Sequence, residues 1–200
     1  NIYFHAWEHK YLYNFEELST EVKQKIIEKH RDINVDQNEW CDFVLEDAYI
    51  VLKNLGYENT KIYFSGFGSQ GDGACFTATI NIEQYLSAHK LKTKFKVLLE
   101  WADRISITIT HNWRYYFACS TDVNIEYFED VQEIDLLLNE LEAIIKKDRE
   151  TLGNEIYKNL ENVYYSLISN ESVTETLRIN EYEFLRNGQK INLKECAPCL

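Results

Sequence analysis

Asp72, Cys75 and His111 are the three residue types from which a hydrolase builds an orienting carboxylate, a cysteine nucleophile and its base. That chemistry requires the thiol and the imidazole within hydrogen-bond reach. Against it, Cys75 opens a run that reads as a core strand, and free cysteine is among the most buried residue types. Cys196 and Cys199, in the terminal "CAPC", have the spacing of half a zinc site, which Cys41 or a histidine would have to complete. Structural zinc usually takes two such pairs, so a reversible disulfide or an unordered chain end is the simpler reading, and no cofactor is expected.

The densest cluster of candidate residues is "IYFSGFGSQGDGACFTATINI", residues 62–82, where a strand-like run enters a loop with four of the chain's seven glycines and then resumes. Gly66, Gly68 and Gly71 spell G-x-G-x-x-G after a strand, but a dinucleotide fingerprint needs a helix at the third glycine, and "ACFTATINI" reads as strand. Two readings remain. In one, the segment is a wide hairpin connection whose glycines supply positive φ while Ser69, Gln70 and Asp72 bond the local backbone. In the other, Ser65, Gly66, Gly68, Ser69, Gln70, Gly71, Asp72 and Gly73 form a binding loop. Its bare backbone would present N–H groups to a nucleotide, a phosphorylated metabolite or a partner's carboxylate. His111, Arg114 and Tyr116 are placed to line the mouth of such a site, with aromatics to stack a base and Arg114 to hold a phosphate. Trp113 and Tyr115, which would share one strand face, are assigned to the core.

At this loop the chain resembles a known group. "FSGFGSQGDGACF", followed by "THNWRYYFACSTDVNI" and the tail "LENVYYSLISNESVTETLRINEYEFLRNGQKI", is similar to small proteins of bacteriophages and prophages, some of them labelled antitoxins of a toxin–antitoxin stability system. The similarity covers about residues 60–190. It implies an accessory, non-virion protein acting inside an infected bacterium, and it brings no catalytic residues with it. Residues 1–58 lie outside it and are free to specify a target.

The elements that must position these residues follow from periodicity. Alternation around Ile2, Phe4 and Ala6 permits a short strand. "LSTEVKQKIIEKH" predicts a helix capped by Ser19, with Val22, Ile26 and Ile27 on one stripe. A second helix over Trp40 to Leu55 carries Trp40, Phe43, Val44, Ala48, Val51, Leu52 and Leu55 at three- and four-residue steps and stops at Gly56. Strands are expected over residues 61–67 and 75–82, over "RISITITHN" with Ile105, Ile107 and Ile109 on one face, and over "WRYYFACS" and "VNIEYF". Residues 131–168 hold one apolar stripe without proline, a helix of about 57 Å or a pair broken near Gly153. A short helix capped by Ser172 and Glu175, and a hairpin turning at Asn187 and Gly188, complete the chain. The fold class is therefore α+β: an antiparallel sheet of about five strands packed against a long C-terminal helix or helical pair and two N-terminal helices. One domain over residues 1–200 is expected, with a helical portion over 1–58.

The net charge of −12, from 33 acidic against 21 basic residues spread along the chain, repels phosphate backbones, so direct nucleic-acid binding is not expected. A bacterial host or toxin protein with a basic or neutral surface suits it better. No run approaches the roughly 18 apolar residues of a membrane helix, and five irregularly spaced cysteines with no secretory leader pattern point to the cytoplasm of the host cell. Function is expected to be inhibition by occluding a bacterial protein, with capture of a nucleotide signal at the glycine loop, or hydrolysis by Asp72, Cys75 and His111, as the alternatives.

Overall fold

The computed structural model describes residues 12–111, 115–117, 119–127 and 132–190. The strand expected near Ile2, Phe4 and Ala6, together with Trp113, Arg114, Cys196 and Cys199, lies outside the described residues. By backbone contacts the chain divides into two units, residues 41–162 and residues up to 40 with those from 163 onward.

In chain order the elements are β1 (Tyr13–Asn14), α1 (Thr20–Lys29), α2 (Asp42–Asn54), β2 (Tyr57–Phe64), β3 (Ala74–Ile80), α3 (Ile82–Ala88), α4 (Lys96–Glu100), β4 (Ile105–His111), β5 (Thr121–Tyr127), α5 (Gln132–Leu167), α6 (Asn170–Ile179) and β6 (Glu183–Phe184). The α+β class, the antiparallel sheet, the long C-terminal helix and the N-terminal helices are as expected.

The larger unit is built on a four-stranded antiparallel sheet in the order β2-β3-β4-β5. β4 keeps the alternation legible in its sequence. Ile105, Ile107, Ile109 and His111 are buried, and Ser106 and Thr110 are exposed between them. β3, the central strand, is buried along nearly its whole length. β2 is an edge strand, and the Ile62 N–H that faces outward donates to the Tyr49 hydroxyl of α2 at 3.4 Å, which occupies part of an otherwise open edge.

Four strands rather than five make the sheet, because the described part of "WRYYFACS", residues 115–117 and 119–120, is loop. β2 also begins earlier than expected, at Tyr57, with a bulge between Glu58 and Lys61 that Asn59 accommodates at φ +52°. Gly56 ends α2 as expected, at φ +94°. It has a second reason to be glycine, since a Cβ there would sit 2.6 Å from the Tyr85 backbone nitrogen. The apolar stripe of α2 is only half used: Val44 and Leu52 are buried, while Phe43 and Val51 are exposed.

α5 runs unbroken for 36 residues, through Gly153, so of the two expected forms, one long helix or a pair broken there, the single helix is the one formed. Ile134, Leu138, Leu141, Ile145, Leu152, Ile156 and Leu160 face the interior at three-, four- and seven-residue steps. Burial of seven such side chains over the sheet outweighs the roughly 1 kcal/mol that a helical glycine costs.

The smaller unit has its own core of Phe15, Leu18, Ile26, Ile27, Val173, Leu177 and Phe184. β1 pairs antiparallel with β6. The expected hairpin is reduced to one further bridge, Phe184 to Lys190, around a turn in which Gly188 takes φ +86°. Ser19 stands at the cap of α1 without a side-chain cap bond, and α6 starts two residues before its expected cap. Ser169, not Ser172, accepts from the Ser172 N–H at 3.2 Å. Arg31 and Asn34 donate to the Ile168 and Leu167 carbonyls, at 3.1 and 2.9 Å, and so satisfy the terminal carbonyls of α5.

Candidate functional site

One end of the larger unit's sheet gathers most of the residues singled out from sequence. There the 65–73 loop joins β2 to β3, and residues 115–117 and 119–120 precede β5. The two loops touch: a Cβ on Gly73 would lie 2.6 Å from the Phe117 Cα, so this glycine is required by close approach rather than by φ.

The 65–73 loop bonds to itself. The Ser65 N–H donates to the Gly73 carbonyl at 3.0 Å, and the Gly73 N–H donates to Ser65 Oγ at 3.2 Å. Asp72 closes the tip, its carboxylate accepting from the Gly68 N–H at 2.9 Å and the Ser69 N–H at 2.6 Å. Those two bonds hold the Asp72 carboxyl below the ordinary carboxylate value. The two N–H groups that would have cradled a phosphate are therefore occupied by the chain's own anion.

None of Gly66, Gly68, Gly71 and Gly73 has positive φ, contrary to the expectation that the loop needs glycine for left-handed backbone. Gly68 and Gly71 have nothing within 4 Å of a built Cβ and are exposed, as is Gln70 between them. The fold thus has no steric or conformational use for glycine at positions 68 and 71.

Aromatic rings surround the loop. Phe67 packs on Tyr157 of α5, 5.5 Å between centroids, and the Tyr157 hydroxyl donates to the Gly66 carbonyl at 3.1 Å. Tyr63, His111 and Tyr116 stack, with His111 centroids 5.1 Å from Tyr63 and 5.4 Å from Tyr116. His111 is buried, and its Nε2 donates to the Tyr115 carbonyl at 2.6 Å. Tyr115 and Tyr116 are 44% and 40% exposed, so Tyr115, expected in the core, is instead at the surface.

Asp72, Cys75 and His111 do not form a relay. Cys75 is 1% exposed, and burial pushes its thiol up despite a hydrogen bond with Ser120 and the nearby charge of Arg149. Its bond goes to Ser120 and not to His111, and the Asp72 carboxylate is engaged by the loop backbone. Cys41 is likewise buried, with its thiol pushed up by burial, and no group of three potential metal ligands occurs among the described residues.

Two polar clusters inside the larger unit escaped the sequence reading. In the first, Asp148 of α5 accepts from the Tyr57 hydroxyl at 2.6 Å and the Tyr85 hydroxyl at 3.4 Å, with His89 Nε2 at 3.0 Å. Both tyrosines are fully buried, and burial, together with the neighbouring carboxylate, pushes both phenols far up, so they stay protonated donors. This network ties α5 to β2 and α3. In the second cluster, Arg149 sits 7% exposed and donates through Nη1 to the Thr121 carbonyl. Its sequence signal was available: Arg149 stands in the apolar stripe of α5, four residues after Ile145 and three before Leu152.

A family model for a domain of unknown function, DUF8835, matches residues 40–170. The chain belongs to the DUF8835 family. The match takes in α2 and nearly coincides with the larger unit, so the DUF8835 domain contains the glycine loop, the aromatic stack and both polar clusters. No curated protein and no solved structure matches the chain.

Proposed function

We propose that this DUF8835 protein is a phage-type accessory inhibitor, an antitoxin or counter-defence protein that binds and occludes a bacterial host or toxin protein in the host cytoplasm. The binding surface is the loop end of the sheet, formed by residues 66–72 with Tyr115 and Tyr116. The observation that carries this reading is the pair Gly68 and Gly71, exposed glycines that nothing in the fold requires. A side chain at either position would meet only what approaches from outside, and bare backbone beside exposed tyrosines suits close contact with a partner surface. The net charge of −12 favours a basic partner, and the resemblance to phage proteins supplies the setting.

The test is affinity capture from host lysate with wild type and Gly71→Val, each captured protein being identified by mass spectrometry. A stoichiometric partner bound by wild type and lost by at least tenfold in a Gly71→Val protein of unchanged melting temperature is expected. Capture of the same partner by both proteins would place the interface elsewhere.

A second reading, a sponge for a nucleotide signal, is favoured by the Tyr116 ring, the exposed member of the Tyr63, His111 and Tyr116 stack, which offers a base a face at the surface. It competes poorly at the phosphate end, where Asp72 holds the N–H groups of Gly68 and Ser69. Calorimetry against cyclic and linear nucleotides decides it, absence of heat removing the reading.

A further inference from the structure

We infer that the interior where Arg149 meets Thr121 is an oxyanion site, with Arg149 as its cation and the Thr121 hydroxyl as a second donor, taking a phosphate group that is either free or the end of a small phosphate ester. This inference is independent of the partner-binding reading and concerns different atoms.

Arg149 is an unusual residue for its position. A guanidinium carries five N–H donors and stays charged at any pH a protein meets. Here it is buried in the apolar stripe of α5, and among the described residues it makes one hydrogen bond, to the Thr121 carbonyl. Its Nε is buried with no hydrogen-bond partner, and so is the Thr121 hydroxyl oxygen. Arg149 has no ion pair among the described residues. The adjacent carboxylate, Asp148, is engaged by Tyr57, Tyr85 and His89. The nearby thiol of Cys75 does not supply the missing charge, because burial favours its neutral form.

Native proteins pair nearly all buried polar groups, and an uncompensated buried charge is among the costliest features a fold can carry. Two orphaned donors and an unpaired cation sharing one residue contact are the complement of a tetrahedral oxyanion, which supplies both the missing charge and the missing acceptors. Arg149 retains 7% exposure.

The experiment is thermal unfolding of the full chain in inorganic phosphate, in methyl phosphate and in chloride at matched ionic strength. A ligand that binds only the folded state raises the melting temperature with the logarithm of its concentration. A saturable rise over chloride is expected in phosphate or methyl phosphate, and the arm that shows it separates the free ion from the ester. Arg149→Met is expected to abolish the dependence and, with the unpaired charge removed, to melt in chloride no lower than wild type. If Arg149→Met does not fold, Thr121→Val, which keeps the shape and removes the hydroxyl, is expected to weaken phosphate binding about tenfold, the share of one hydrogen bond to a charged group. Identical melting of wild type in all three salts overturns the proposal, as does a phosphate effect that survives intact in the variant.

Discussion

At the scale of single residues, Asp72 explains the behaviour of the glycine loop better than any glycine does. Its carboxylate is exposed, so its stabilising effect is local, yet two backbone N–H groups converge on it. Because the folded-state pKa is lowered from the ordinary 3.8, the contribution is complete above that value and is lost as pH falls through the lower, folded-state value. Nuclear magnetic resonance should show the Asp72 carboxyl titrating below 3.8, with the Gly68 and Ser69 amides losing protection from exchange over the same range. Titration at or above the ordinary value would contradict the turn. The loop's self-sufficiency also has a functional side, since a preorganised loop loses less conformational entropy when it meets a partner.

At the scale of elements, the sharpest constraint is the junction of α2 and β2. Gly56 must adopt φ +94° and must also let the Tyr85 backbone approach. Gly56→Ala therefore combines a left-handed penalty of about 1–2 kcal/mol with overpacking of about 1–3 kcal/mol, and urea denaturation should show a loss of roughly 2–5 kcal/mol. A change below about 0.5 kcal/mol, the usual surface range, would mean that the junction relaxes freely. The elements that periodicity read well, α5 and β4, are those with one face buried over most of their length. Those it missed have local signals that stronger patterns masked. α3 opens with Asn81 accepting from the Gln84 N–H at 3.1 Å and buries Ile82, Tyr85 and Leu86, but its first residues continue the apolar run of β3. "WRYYFACS" looks like a strand because aromatic residues are common in strands, yet residues 115–117 cross the sheet end as a loop.

At the scale of the whole molecule, each of the two units has its own apolar core. Leu177 is fully buried in the smaller one, and Leu177→Ala should cost about 2–5 kcal/mol there. Hydrogen exchange read by mass spectrometry should then show lost protection in peptides from residues 12–40 and 163–190, with strands β2 to β5 unchanged. Uniform loss across the chain would instead mean that the two cores unfold as one. The DUF8835 match nearly coincides with the larger unit.

The sequence by itself determined the α+β class, the long amphipathic helix and the helix stop at Gly56. All of these follow from local periodicity and from backbone conformations that few residues adopt. Only the tertiary structure decided that Cys75 is buried with its hydrogen bond to Ser120, that Asp72 fills the loop's own anion seat, and that Arg149 and Thr121 face each other across 28 positions with donors unpaired. Hydrogen-bond partners and burial depend on which distant residues the fold brings within a few ångströms, and neither spacing nor composition carries that information.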